Sequence, residues 1–84
     1  MKNIEIYTRS YCPYCQRAKE LLRIKGIPFV EHDITSDPEG AREMKERSGR
    51  DTVPVIFVDD ALLGGCIELF ELDERDDLDQ ILDL

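Results

Sequence analysis

"SYCPYCQRAKELL", residues 10–22, sets two cysteines three positions apart at the start of an apolar-periodic segment. From Pro13 onward, Cys15, Ala18, Leu21, Leu22 and Lys25 follow helical spacing, while Gln16, Arg17, Lys19, Glu20 and Arg23 fall on the polar side. Pro13 suits the first helical position, which makes Cys12 the N-cap and puts Cys15 near the third position. Gly26 stands where a left-handed C-cap is expected. Two thiols placed this way can form a structural disulfide, supply half of a metal site, or act as a reversible redox pair.

The flanking segments give the helix its setting. "NIEIYT" (3–8) alternates Ile4 and Ile6 with polar neighbours and reads as a strand with one face buried. "PFVEHDI" (28–34) is a second strand by its β-branched and aromatic content. Asp37, Pro38 and Glu39 combine a capping acid, a first-turn proline and a second acid against the dipole, which starts a helix through Ala41 and Met44 that stops at Gly49. "PVIFV" (54–58) is a continuous apolar run typical of a strand buried on both faces, and "ALL" (61–63) is its hairpin partner after Asp59-Asp60. Past Gly64-Gly65, helical spacing returns at Leu69, Phe70 and Leu72, then at Leu78, Ile81 and Leu82. The expected order is β-α-β-α-β-β-α with one more short helix: a small mixed α/β sheet flanked by helices, whose first two strands are parallel through a right-handed crossover.

With 84 residues the chain is expected to form one domain, 1–84, with a modest core. Its 42% hydrophobic content argues against a disordered segment. The opening "MKNIEIYTRS" has no long apolar stretch, and no run approaches the ~20 residues needed to cross a bilayer, so a cytosolic protein away from membranes is expected. Residues 1–26 hold six bases and two acids (+4), whereas residues 59–84 hold ten acids and one base (−9). The total of −8 argues against a nucleic-acid partner, and the acidic tail reads as a solvated helical face.

Composition also separates the three readings of the cysteine pair. A disulfide-stapled scaffold carries a larger, even set, but here Cys66 is left over. A Cys12–Cys15 bond closes a very short loop and would restrict the unfolded chain little. A tetrahedral metal site needs four ligands, and beyond the pair only Cys66 and His32 are at hand, without ligand spacing; His32 reads as an ordinary edge histidine and no metal site is expected. The redox pair fits best. At the N-cap the Cys12 sulfur meets free N–H groups and the positive end of the helix dipole, with Arg9 and Arg17 nearby, and all of these favour thiolate. Cys15 is more enclosed, so Cys12 is expected to attack and Cys15 to resolve.

Three motifs together resemble one family. "CPYC" after the first strand, "TVP" at 52–54 before an apolar strand and "GGC" at 64–66 opening a helix resemble the dithiol, bacterial-type glutaredoxins, in order and at matching separations along essentially the whole chain. The resemblance implies the thioredoxin fold, no tightly bound cofactor, and glutathione as co-substrate. It implies that Cys12 attacks glutathione mixed disulfides, that a second glutathione or Cys15 completes the reaction, and that Pro54 is cis. It further implies that the turn Thr52-Val53-Pro54 binds the ligand, with the Val53 backbone pairing with its cysteine moiety, that Arg9 meets the glycine carboxylate and that Tyr14 packs beside the ligand. Gly65, Cys66, Ile67 and Glu68 would then hold the γ-glutamyl end, although the Cys66 thiol also reads as a small buried hydrophobe.

Family members often carry Asp or a small polar residue where this chain has Ile67 followed by Glu68, and many have Arg where it has Asp51, with Arg50 one place earlier. Two other readings therefore stand beside the first: a redoxin reduced by a thioredoxin reductase, and a glutathione-assisted iron–sulfur carrier. The expected partners are glutathione and disulfide-containing or glutathionylated proteins, with the chain acting as a monomer.

Overall fold

Local chemistry sets the element boundaries in a computed structural model that describes residues 2–82. Residues 1, 83 and 84, the ends of the expected domain, lie outside the described residues. Strand β1 (Ile4–Thr8) leads into helix α1 (Pro13–Ile24), strand β2 (Val30–Asp33) and helix α2 (Pro38–Ser48). Then come strands β3 (Val55–Val58) and β4 (Ala61–Gly64), helix α3 (Cys66–Glu74) and the short helix α4 (Leu78–Ile81). The Asp37 side chain accepts the Gly40 N–H at 3.0 Å and caps α2, which has Pro38 in its first turn and ends at Gly49 with φ +73°. Gly26, with φ +69°, closes α1 in the same left-handed conformation.

The strands lie in the order β2-β1-β3-β4. β1 pairs parallel with β2, Thr8 opposite Asp33, and antiparallel with β3, Tyr7 opposite Val55. β3 and β4 form an antiparallel hairpin whose turn residues Asp59 and Asp60 have φ of 48° and 70°. Aspartate tolerates that conformation better than most residues, and the Asp59 carboxylate also accepts the Asn3 N–H at 2.7 Å. This is the mixed sheet expected from the element order.

Helices cover both sheet faces. Ile4, Ile6, Ile56 and Val58 meet Ala18, Leu21 and Leu22 of α1 and Leu69 of α3 in the larger core. Tyr7, Val55 and Phe57 meet Met44 of α2 and Ile34 in the smaller one. Burying each large aliphatic side chain contributes about 1.5–3 kcal/mol. Arg47 of α2 sits over Phe57, 4.0 Å from the ring centre, donates to the Tyr7 hydroxyl at 2.8 Å and pairs with Glu5 at 3.0 Å, which ties α2 to the strands beneath it.

Three sequence expectations need correction. β1 is buried on both faces, because it runs between β2 and β3 under helices on either side; Tyr7 and Thr8 are as enclosed as Ile6. The second strand is shorter than 28–34 and is a largely exposed edge, since its other flank has no neighbour among the described strands. Lys19 is not on the solvated side of α1. It is 8% exposed, with its ammonium 2.9 Å from Glu31 of β2.

Candidate active site

The loop leaving β1 delivers Cys12 to the first turn of α1. The Cys12 N–H donates to the Arg9 carbonyl at 3.3 Å, and its backbone is extended, as an N-cap requires. Its sulfur then accepts the Cys15 N–H at 3.2 Å, a role usually filled by a serine or aspartate oxygen. The same sulfur lies 3.8 Å from the Val53 carbonyl, to which its thiol can donate. Cys12 is partly exposed and Cys15 is fully buried. Burial, with the Cys12 sulfur beside it, pushes the Cys15 thiol up to about 12. The expected asymmetry is present: an accessible sulfur at the helix end and an enclosed one a turn behind it.

The Val53–Pro54 bond is cis, as the resemblance implied. Thr52, Val53 and Pro54 form one wall of a shallow cleft of ≈ 200 Å³. Gly65, Cys66, Ile67 and Glu68 form another, and Tyr14 and Arg50 complete the lining. The first turn of α3 packs tightly against the proline turn. A Cβ on Gly65 would lie 3.2 Å from the Pro54 carbonyl oxygen. Gly64 has φ +136°, and a Cβ there would meet Glu68 Oε1 at 2.5 Å and Glu68 Cβ at 2.8 Å. The two glycines therefore make room for a side chain folded back over them.

That side chain is Glu68. Its Oε1 accepts the Gly65 N–H at 2.7 Å and the Arg50 Nη1–H at 2.8 Å. The Arg50 guanidinium and the Gly65 N–H hold the Glu68 carboxyl below the usual glutamate range. Gly65, expected to offer its amide to a ligand, already gives it to Glu68. The amides of Cys66 and Ile67, as first-turn donors, have no partner within the helix.

Most of the expected residues converge here: Cys12 with Val53, and Tyr14, Thr52, Pro54, Gly65, Cys66, Ile67 and Glu68 around the cleft. Arg9 is not part of the cleft lining; its backbone carbonyl holds the Cys12 N–H. Arg17 stacks over the Tyr14 ring at 5.6 Å. Cys66 is buried, and burial raises its thiol. Arg50 is the residue missing from the expected site, although its place two positions before TVP, next to Asp51, was a usable signal. Ile67, 66% exposed, and Tyr14, 55% exposed, extend the cleft into an apolar groove with Phe70, rimmed by Arg17, Glu71 and Glu74.

Elsewhere, a cavity of ≈ 770 Å³ lies at the other end of β1 between Lys2, Phe29 and Asp60 and is lined by no cysteine. Among the described residues, no group of three or more His, Cys, Asp or Glu side chains is arranged to hold a metal ion. No helix among them is long and apolar enough to cross a membrane.

The family model "Glutaredoxin" matches residues 4–63. Glutaredoxin 3 of Escherichia coli K12 is 51% identical over 82 residues, covering 98% of this chain and 99% of the relative. The solution structure of a Brucella melitensis glutaredoxin superposes with a TM-score of 0.85 at 49% identity, covering 98% of this chain and 89% of that one. The holo form of glutaredoxin C1 from Populus tremula x tremuloides gives 0.86 at 28% identity, covering 95% and 82%. The chain belongs to the glutaredoxin family, with its thioredoxin fold, and is a thiol–disulfide oxidoreductase linked to glutathione.

Proposed function

We propose that the protein reduces glutathione mixed disulfides and protein disulfides through a Cys12/Cys15 dithiol. The observation that carries this reading is the Cys12 sulfur at the N-terminus of α1, facing the Val53 carbonyl at the edge of the cleft. The Cys12 thiolate attacks the glutathione sulfur of a mixed disulfide. A Cys12–glutathione bond forms, the client sulfur leaves with the bonding pair, and it takes up a proton. A second glutathione thiolate then attacks the glutathione sulfur on Cys12, which yields glutathione disulfide and free Cys12. With a protein disulfide, Cys15 attacks Cys12 instead, and the client leaves as a dithiol.

The backbone of Val53 pairs with the cysteine moiety of glutathione as a short added strand. The zwitterionic γ-glutamyl end meets the Arg50–Glu68 pair and the Cys66 and Ile67 amides: its carboxylate turns to Arg50 and the amides, its ammonium to Glu68. Tyr14 packs along the ligand, Thr52 and Pro54 shape its wall, and Arg9 serves the glycine carboxylate. Three free cysteines suit a reducing cytosol, where we place the chain.

The test is turnover of a glutathione mixed disulfide of a small thiol, coupled to NADPH through glutathione reductase. Robust turnover that vanishes in Cys12→Ser supports the reading. Negligible turnover, alongside reduction of protein disulfides by thioredoxin reductase and NADPH, would replace glutathione as the donor.

A further inference from the structure

Lys19 is a buried cation that the proposed chemistry does not otherwise use. It follows Cys15 by four residues, one turn along the same enclosed face of α1, and the two are 8% and 0% exposed. An ammonium in such a place needs compensation. Glu31 supplies it at 2.9 Å, and the Thr8 hydroxyl holds the same Glu31 oxygen at 2.6 Å. Asp33, at the end of β2, adds a second negative charge near Lys19. A tie between α1 and β2 could be made anywhere along the helix; here its cation stands one turn from the resolving thiol on the same buried face.

We infer that Lys19, held by Glu31 and Thr8, is a positioning residue that stabilises the Cys15 thiolate during the resolving step. The inference rests on the dithiol reading above. In that step Cys15 gives up its proton and its sulfur attacks Cys12 Sγ. The Cys12–Cys15 bond forms as the bond from Cys12 to the client sulfur breaks. That sulfur leaves with the bonding pair and takes up a proton, so the electrons of two cysteine thiols end on the client. The groups facing Cys15 are the Cys12 sulfur, the Arg9 backbone and Lys19. Burial and Cys12 hold its proton on; the Arg9 backbone hydrogen bond and the Lys19 charge work the other way. Cys12 needs no help from Lys19, because it sits at the helix N-terminus and attacks first.

The experiment loads reduced protein with one equivalent of oxidised glutathione and follows release of glutathione from Cys12 by acid quench and mass spectrometry, across a series of pH values. Lys19→Met keeps the packed stem and is expected to slow closure about threefold to tenfold at neutral pH and to move the profile to the alkaline side. Lys19→Arg is expected to restore most of the rate. Glu31→Gln removes the direct partner of the Lys19 charge and is expected to move the profile the other way, to the acid side. Formation of the mixed disulfide, read in a Cys15→Ser background, serves as the internal reference for the first step.

A closure profile that does not move in Lys19→Met would overturn the inference. So would shifts of the same sign in Lys19→Met and Glu31→Gln, which would show a structural tie and nothing more. If the Cys15→Ser protein forms no adduct on Cys12, the dithiol reading fails at its first step and takes this inference with it. That outcome is distinguishable, because it appears before closure begins.

Discussion

Helices α1 and α3 both point their N-termini at the same cleft, and both are capped by a side chain, but the two caps do different work. At α1 the cap is a sulfur, Cys12, partly exposed and bonded to the Cys15 N–H. At α3 the cap is a carboxylate reaching back from the third helical position: Glu68 takes the Gly65 N–H and the Arg50 guanidinium together. This is half of a capping box, since Gly65 has no side chain to answer it. One helix end presents a nucleophile; the other holds an ion pair that a zwitterionic ligand can exchange partners with. The same backbone device supplies reactivity or recognition according to which atom caps it.

Breaking the first cap gives the largest effect. Cys12→Ser keeps a capping oxygen, so stability should change little, but turnover of every disulfide substrate should be abolished in the coupled assay. Cys15→Ser comes next. Reduction of protein disulfides should be lost while glutathione mixed disulfides still turn over, and the buried hydroxyl should cost about 1–3 kcal/mol in denaturant unfolding. Equal loss on both substrates would contradict the division of labour between the two sulfurs.

The second cap is broken through its glycines. Gly64→Ala forces a side chain into φ +136° and against Glu68, with an expected cost of about 1–3 kcal/mol and a raised KM for the glutathione mixed disulfide. Glu68→Gln is milder: it keeps the Gly65 N–H bond and removes only the charge facing Arg50. Its KM should rise severalfold with kcat nearly unchanged, and stability should change by less than about 1 kcal/mol because both partners are well exposed. The smallest effect is in acid. Arg50 and the Gly65 N–H lower the folded-state Glu68 below the ordinary 4.5, so its contribution is complete above that value and is lost as pH falls through the lower folded one. The melting-temperature gap between the parent and Glu68→Gln should therefore close in acid and stay constant above it.

Much of this comparison was legible in the sequence, for a physical reason. Pro13 after Cys12, and Asp37 before Pro38, write helix starts in residues that touch one another, so short-range chemistry decides them. The TVP and GGC motifs located both walls of the cleft. What escaped was set by partners distant along the chain. Thr8 looked half-exposed until β2 and β3 flanked it. Lys19 looked solvated because its partner, Glu31, arrives with the edge strand. Arg50 stood out as the arginine one place ahead of Asp51, but its partner came into view only when α3 carried Glu68 to it, and Glu68 in turn claimed the Gly65 amide that the motif had reserved for a ligand. Burial and pairing of charges depend on packing that no local pattern encodes.

The most direct test of the central claim is to trap the first intermediate. Cys15→Ser protein, reduced and exposed briefly to oxidised glutathione, is digested and its adduct mapped by mass spectrometry. A single glutathione on Cys12, with Cys66 untouched, is the predicted result. An adduct on Cys66, or none on Cys12, would contradict the assignment of the α1 sulfur as the nucleophile.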